Sequence, residues 1–229
     1  MRIAIRYARS GPAVYTSHLD MQRAFGRAVR RARIPALYSQ GFNPHLIMSF
    51  ASPLSVGYAT DADYLELEVE DSLSLRRAFE ALAASMPPGL ELRGLYRIPQ
   101  GTKKLMALND SASYEVRFET EDPAELQRIA AAAASLGDTG PHLCLDRKGR
   151  ELDLGELILS VDAGEGGTVR LTTANASGRS LNPDTAVREI LRRAGSDVPF
   201  RIRRTECFAE QDGHRIPFRK LFPECIEIK

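Results

Sequence analysis

The sequence of 229 residues has few cysteines and no long apolar run. Its three cysteines, Cys144, Cys207 and Cys225, cannot all pair, and their wide spacing matches neither a secreted disulfide framework nor a CxxC metal site. Cys207, His214 and Cys225 lack a fourth ligand for zinc, so we predict no metal site. No apolar stretch approaches the roughly 18 residues that span a bilayer, so we expect no signal peptide and no membrane helix. These absences favour a cytoplasmic protein.

Lysine and acidic residues are almost missing from residues 1–60. This segment contains eight arginines, no lysine and one acid, Asp20, which gives a formal charge of +7. The rest of the chain is −6, because the whole chain is +1. Such asymmetry favours an anionic partner, and nucleic acid is the commonest cytosolic candidate. The alternative is a basic face that only contacts solvent.

The length and the composition predict two ordinary folded domains. Hydrophobic residues make up 43% of the chain and charged residues 27%, which is typical of globular proteins. The chain is longer than the roughly 100 to 150 residues of a common single domain.

The first half of the chain has the pattern of a βαββαβ unit. Apolar residues alternate in the first strand, and Ser17 with Asp20 three residues later is typical of a helix N-terminus. The predicted elements are a strand at 2–7, a helix that Ser17 begins and Pro35 ends, strands at 46–50 and 63–69, a helix at 75–86 and a strand at 90–97.

The same order is predicted again in the second half. Asp122-Pro123 and Asn182-Pro183 each predict a helix start, because proline suits the first helical position. Strands are predicted at 113–119, 156–162, 168–173 and 199–206. We therefore predict an α+β protein of two tandem ferredoxin-like domains with antiparallel sheets. The predicted boundaries are 1–98 for the first domain, 99–111 for a linker, 112–206 for the second domain and 207–229 for a tail without assigned structure.

The predicted sheet faces contain charged pairs and not stacking aromatics. In the first domain, Arg2 and Arg6 are expected opposite Glu66 and Glu68, and the second domain repeats the theme with Glu115, Arg117 and Arg170. Such faces are poor for base stacking and better suited to solvent or domain docking. We therefore expect nucleic acid to contact a helix and loops.

The helix after Ser17 and the loop that follows it are the predicted binding elements. The helix has arginines on its exposed side, without counter-charges at the neighbouring i+3 and i+4 positions, and arginine suits phosphate. The loop combines two aromatics, two amides and a glycine, which suits an unstacked nucleotide. Alternatively, Phe42 fills the core and the loop is only a tight turn. The predicted nucleic-acid-binding residues are Arg23, Arg27, Arg30, Arg31, Tyr38, Gln40, Gly41, Phe42, Asn43 and His45.

Three residues of this region are catalytic candidates. His18 and His45 could act as general acid and base in metal-independent RNA cleavage. Asp20 could act as the nucleophile of a pseudouridine-synthase-like isomerase. Either histidine could equally pack or hydrogen-bond locally, so the catalytic residues stay unassigned.

The motifs Tyr-Thr-Ser-His-Leu-Asp, Arg-Ala-Val-Arg-Arg-Ala-Arg-Ile-Pro, Tyr-Ser-Gln-Gly-Phe-Asn-Pro-His and Pro-Leu-Ser-Val-Gly occur in this order within residues 15–57. Together they resemble the radical-SAM-linked proteins, domain of unknown function 2344. The resemblance implies a protein that extends a radical SAM enzyme or is encoded beside one, and it assigns no reaction.

The cysteines limit what this resemblance can mean. Radical SAM enzymes hold a [4Fe–4S] cluster with three closely spaced cysteines, usually CxxxCxxC, which this chain lacks. We therefore expect no cofactor in this chain and a separate partner with the cluster and S-adenosylmethionine. The leading hypothesis is an RNA-binding accessory protein that presents transfer or ribosomal RNA to that partner. The alternatives are an RNA-processing enzyme and a scaffold that binds only protein.

Overall fold

The computed structural model describes residues 1–146 and 149–227. These residues form a mixed α+β structure with antiparallel strand pairs, which confirms the α+β part of the predicted fold class. The chain divides into two compact units. Unit 1 comprises residues 1–109 and 207–229, and unit 2 comprises residues 110–206.

Unit 1 is a sheet with two helices packed on one face. Along the chain it contains β1 (Arg2–Arg9), a 3-10 turn (Gly11–Tyr15), α1 (His18–Arg31), β2 (Met48–Phe50), β3 (Ala59–Glu68), α2 (Leu75–Ala83), β4 (Leu90–Ile98) and the short α3 (Leu105–Leu108). The strands pair in the order β2–β3–β1–β4, and each pair is antiparallel.

Unit 2 has a similar succession of elements. It contains β5 (Asn109–Phe118), α4 (Pro123–Ser135), β6 (Leu143–Leu145), β7 (Glu151–Asp153), β8 (Ile158–Ala163), β9 (Thr168–Ala176), β10 (Arg179–Ser180), α5 (Pro183–Ala194) and the first part of β11 (Phe200–Gln211). Strand β9 pairs with β5, β8 and β10, and β5 lies beside β11. As predicted, Glu115 lies opposite Arg170 in this sheet.

Residues 207–227, for which the sequence predicted no structure, form part of unit 1. They contain the end of β11, β12 (His214–Pro217), a 3-10 turn (Phe218–Lys220) and β13 (Cys225–Glu227). Strand β13 pairs with β4. The tail therefore contributes strands and packing to the first unit.

The longer helices begin where the sequence predicts. The side-chain oxygens of Ser17, Asp122 and Asn182 each accept a backbone N–H two or three residues further on, at 3.0–3.2 Å. Each bond satisfies one of the free N–H groups of the first helical turn. The predicted helix starts are therefore confirmed.

The core of unit 1 lies between its sheet and the helices α1 and α2. Ile3 and Ile5 of β1 are buried on this face, together with Phe25 and Val29 of α1. The period of two in β1 and the helical period in α1 place these side chains toward each other. The ring of Tyr7 packs edge-on against Phe25 at 4.7 Å between centroids.

The other face of the unit 1 sheet is covered. Arg2 forms an ion pair with Glu66 at 3.0 Å, as predicted, but Arg6 lies opposite Tyr64 and pairs with Glu227 at 3.7 Å. The rings of Phe218 and Phe222 lie over Tyr64 and Tyr96, with centroids 5.2 and 6.4 Å apart. Of the two uses predicted for this face, contact with solvent or docking, contact with solvent is wrong where the tail supplies an aromatic cover.

Glu66 holds a second covering segment on this face. The side chain of Glu66 is only 2% exposed, and its carboxylate accepts the Leu105 N–H at 2.9 Å. The same carboxylate forms ion pairs with Lys104 at 2.9 Å and with Arg2 at 3.0 Å. Arg2 also donates to the Thr102 carbonyl. Burial opposes ionisation of Glu66, but these three donors together lower its pKa below the ordinary value. Residues 102–105 are therefore tied across the sheet.

We predict that Glu66→Gln lowers the free energy of unfolding by about 2–3 kcal/mol, because the partly buried Arg2 loses its charged partner. The pKa of Glu66 is lowered in the folded protein, so its contribution is present above the pKa of the unfolded chain and is lost as the pH falls below roughly 4. Urea denaturation between pH 3 and pH 7 measures both effects, and the stability of the variant should depend less on pH.

Glu68→Gln is the matched control. Glu68 also pairs with Lys104, at 2.8 Å, but both side chains are partly exposed, so the expected loss is below about 1 kcal/mol. Equal losses in the two variants would contradict the role given to Glu66.

Candidate nucleic-acid interface

One face of α1 presents a stripe of arginines. Arg23, Arg27 and Arg30 are exposed and lie at spacings of four and three residues, which places them on one side of the helix. The opposite side contains Phe25 and Val29, which are buried. We call Arg23, Arg27 and Arg30 the arginine stripe.

Two of the four predicted arginines have partners inside the protein. Arg23 pairs at 3.0 Å with Asp20, which is three residues before it, so a counter-charge lies beside Arg23 although none stands three or four residues after it. Arg31 donates to the carbonyl oxygen of Ser85 at 2.5 Å, which ties the end of α1 to the end of α2. Within the part of the chain that the structure describes, the guanidinium groups of Arg27 and Arg30 make no hydrogen bond or ion pair, although the charge of Arg27 acts on Asp20 through space. The stripe therefore keeps two guanidinium groups open to an anion, with Arg23 beside them.

The predicted binding loop is the tip of a short hairpin between α1 and β2. Ser39 N–H donates to the carbonyl of His45 at 2.8 Å, and Ile47 N–H donates to that of Leu37 at 3.0 Å. The arms of this hairpin also bond to β3, because Leu37 N–H donates to Glu68 and the N–H of Glu68 donates to Ile47. We call residues 37–47 the hairpin. These local pairs shorten the predicted strand 46–50 to Met48–Phe50.

The tip of the hairpin points its aromatic side chain into solvent. Phe42 is fully exposed, which excludes the alternative that it fills the core, and Tyr38 is partly exposed. Gly41 has a φ of 127°, a conformation that side chains disfavour, so glycine is needed for this tip. Gln40 and Asn43 flank Phe42 and are exposed. An aromatic face and two amides are therefore available to a ligand at one tip.

The base of the hairpin packs against the middle of α1. A Cβ added at Gly26 would lie 3.7 Å from Leu46 Cδ1, so the helix backbone approaches Leu46 closely. On the helix, Gly26 is about 40° from Arg30 and about 60° from Arg23. The hairpin therefore borders the arginine stripe.

The three catalytic candidates have structural contacts. The ring of His18 packs edge-on against the buried Phe50, with centroids 5.0 Å apart. Nδ1 of His45 lies 2.8 Å from Ser39 Oγ, which also accepts the His45 N–H at 3.1 Å. Hydrogen bonds from Ser17 and Arg23 lower the pKa of Asp20. These contacts cap the helix and shape the hairpin.

Ser39 was missed by the sequence interpretation. It closes the hairpin through three contacts with His45, two of them from its hydroxyl. A signal was present: Tyr38-Ser39 and His45-Leu46 stand symmetrically around a Gly, Asn and Pro turn, which is typical of a hairpin.

Comparison with known proteins assigns the family. Residues 2–183 match the model of DUF2344, described as an uncharacterized protein conserved in bacteria. The chain belongs to this family. No curated protein matches the chain. A solved structure titled "X-ray crystal structure of a heavy metal efflux pump, crystal form II" is similar at 10% identity, over 91% of this chain and 28% of that chain, with a TM-score of 0.25. A likeness this weak supports no argument about fold or function.

The three cysteines of this DUF2344 protein form no disulfide bond with one another. Cys207 is buried, Cys144 is half-buried and Cys225 is exposed, and all three are free thiols. Within residues 1–146 and 149–227, no three His, Cys, Asp or Glu side chains come close enough to hold a metal ion. None of the helices in these residues is both long and apolar enough to cross a membrane.

The N-cap of α1 positions the first turn that precedes the stripe. Ser17 Oγ accepts the Asp20 N–H at 3.2 Å and donates to the Asp20 carboxylate at 2.7 Å. We predict that Ser17→Ala lowers the free energy of unfolding by about 1 kcal/mol, because the first turn loses its side-chain acceptor. Urea denaturation followed by circular dichroism measures this loss.

Ser74→Ala provides the comparison for that measurement. Ser74 is the N-cap residue of α2, but its side chain makes no capping hydrogen bond. We expect its loss to stay within about 0.5 kcal/mol. If both substitutions lower the free energy of unfolding by the same amount, the hydrogen bond of Ser17 does not stabilise α1.

Proposed function

We propose that this DUF2344 protein binds RNA with the arginine stripe and the hairpin, and that it presents the RNA to a separate modifying enzyme. The observation that carries the proposal is the fully exposed Phe42 on a hairpin that packs against the arginine-bearing helix. Arginine guanidinium groups bind phosphates, and aromatic side chains stack on unpaired bases. The arginines for phosphate and the aromatic ring for bases therefore belong to two elements that pack against each other.

The charge distribution supports an anionic ligand. Residues 1–60 have a formal charge of +7 in a chain of +1. The guanidinium groups of Arg27 and Arg30 make no hydrogen bond or ion pair in the described part of the chain, so a phosphate would not have to displace a hydrogen-bonded partner from them. Arg23 would share its charge between Asp20 and the ligand.

The chemistry of the hairpin supports an unpaired RNA. Phe42 offers a ring face, while Gln40 and Asn43 supply hydrogen-bond donors and acceptors beside it. Single-stranded loops and ends expose the bases that such groups read, whereas duplex RNA buries them.

The sheet face of unit 1 opposite the helices is covered, which leaves the arginine stripe and the hairpin as the surface for RNA. RNA-recognition modules of the ferredoxin-like type bind bases on an open sheet face. In unit 1 this position is taken by Phe218, Phe222 and the segment held by Glu66.

The fold proposal is two tandem ferredoxin-like units. The strand order β2–β3–β1–β4 in unit 1 is the order of such a fold, and β8–β9–β5–β11 in unit 2 repeats it. In each unit the six elements of such a fold follow as strand, helix, strand, strand, helix, strand, and unit 2 has the short strands β6, β7 and β10 in addition.

The partner is proposed from the resemblance to radical-SAM-linked proteins. The chain lacks CxxxCxxC, so the [4Fe–4S] cluster and S-adenosylmethionine would belong to the partner, in the cytoplasm. The RNA would be a transfer or ribosomal RNA. The enzyme alternative would use His18 and His45, or Asp20, whose observed contacts are those of packing and capping.

The first test replaces Arg23, Arg27 and Arg30 together with glutamine. We expect a loss of affinity for single-stranded RNA, and a slope of log K against log salt that is smaller in magnitude by about 2, because each phosphate contact contributes about 0.7. Fluorescence anisotropy with labelled RNA at several salt concentrations measures both quantities.

The control variant replaces three exposed arginines of unit 1 outside α1, namely Arg76, Arg77 and Arg215. It changes the net charge equally, so it should change affinity little if the location of the charges matters. Binding that ignores salt, or equal losses in both triple variants, would contradict the proposal. RNA recovered from these titrations should be full length, and cleavage that disappears in His45→Ala would support the enzyme alternative.

The second test concerns Phe42. Phe42→Ala should weaken RNA binding by roughly tenfold, because stacking contributes about 1–3 kcal/mol for each base. Phe42→Tyr keeps the ring and should bind like the unmodified protein. Affinity unchanged by Phe42→Ala would show that the hairpin does not contact bases.

A further inference from the structure

Two segments of unit 1 without a role in the proposed function meet at the N-terminal end of α1. Tyr15 precedes the helix, and Val56 belongs to the Pro-Leu-Ser-Val-Gly motif. The N–H of Gly57 donates to the carbonyl of Val14 at 2.7 Å, so the two segments are neighbours. Tyr15 is 74% exposed and Val56 is 55% exposed.

The segment before Tyr15 is held by hydrogen bonds, and the N–H of Thr16 donates to the carbonyl of Ala13 at 3.0 Å. The buried Arg9 donates to the carbonyls of Ser55 and Tyr58, each at 2.8 Å, which anchors the loop of Val56. The N–H of Ser10 donates to the carbonyl of Gly89 at 2.9 Å.

Gly89 allows its backbone to lie close to Ala13, in the 3-10 turn that ends at Tyr15. Its φ is 82°, and a Cβ there would lie 2.7 Å from the Ala13 Cβ, so only glycine fits. An exposed ring on a backbone held this way loses little entropy on binding.

We propose that Tyr15 is a second base-stacking residue, and that the substrate is an unpaired RNA segment long enough to reach from the hairpin across the arginine stripe to Tyr15. This inference rests on the proposed RNA binding. It adds one binding residue and the path that the RNA follows.

Charge and distance favour RNA at Tyr15 over a protein partner. Arg23 is six residues beyond Ser17, about 9 Å along the helix, so the stripe begins close to this end. The one acid in this stretch, Asp20, is already paired with Arg23. The exposed apolar side chains at this end are Tyr15, Leu19 and Val56, and the exposed polar residues Ser17 and His18 lie between Tyr15 and Leu19 in the chain.

The reach of the chain sets the expected RNA length. Tyr15 lies at most about 8 Å from Ser17, and Gly26 is about 14 Å further along the helix. Phe42 lies within about 14 Å of Leu46, which packs on Gly26. The whole path is therefore at most about 40 Å, which 12 nucleotides cover at about 3.4 Å for each stacked nucleotide. A stacked tetranucleotide spans about 14 Å, which is no more than the distance along the helix from Ser17 to Gly26.

The experiment compares labelled oligoadenylates of 4 and 12 nucleotides with the unmodified protein and with Tyr15→Ala. We expect Tyr15→Ala to weaken binding of the 12-nucleotide RNA roughly tenfold and to leave binding of the 4-nucleotide RNA at the hairpin unchanged. Tyr15→Phe should behave like the unmodified protein. Tyr15→Leu, which keeps an apolar side chain without a ring, should behave like Tyr15→Ala.

The outcomes separate this inference from the proposed function. Equal binding of the 12-nucleotide RNA by the unmodified protein and Tyr15→Ala overturns the role of Tyr15 and leaves RNA binding intact. Full affinity in Tyr15→Leu also overturns stacking, because an apolar contact is then sufficient. If the unmodified protein binds neither RNA, the proposed function itself fails.

Discussion

The buried carboxylate of Glu66 is the contact on which the organisation of unit 1 depends. A carboxylate removed from water is stable only when donors replace the lost hydration. Leu105 N–H, Lys104 and Arg2 supply these donors at 2.9–3.0 Å. Because they come from β1 and from the segment after β4, satisfying this one charge ties that segment across the sheet. The contact that keeps Glu66 ionised therefore also closes part of the face opposite the helices, and the tail covers another part.

Closing this face decides where unit 1 can meet a large ligand. One side of the sheet is packed against α1 and α2, and the other lies beneath Phe218, Phe222 and residues 102–105. The outer sides of α1 and α2 and the hairpin then expose polar side chains. The hairpin is held by hydrogen bonds to β3, and the first turn of α1 is capped by Ser17.

Local features were predictable because their causes are local. The cap at Ser17 and the proline-led starts of α4 and α5 depend on residues a few positions apart. The exposure of Arg23, Arg27 and Arg30 follows from helical periodicity alone. The arms of the hairpin were missed, because their bonds to Glu68 connect residues more than twenty positions apart. The tail was missed for the same reason, since its strands bond to distant partners.

The amino-acid sequence by itself determined the α+β class, the helix starts, the basic face of α1 and the family. It did so because spacing, capping and charge are properties of short segments. Tertiary structure alone decided that Arg31 is tied to Ser85, that Phe42 is exposed, and that Tyr15 stands on a held turn. Each of these depends on which distant backbone atom or side chain lies beside the residue, and periodicity within a segment contains no such information.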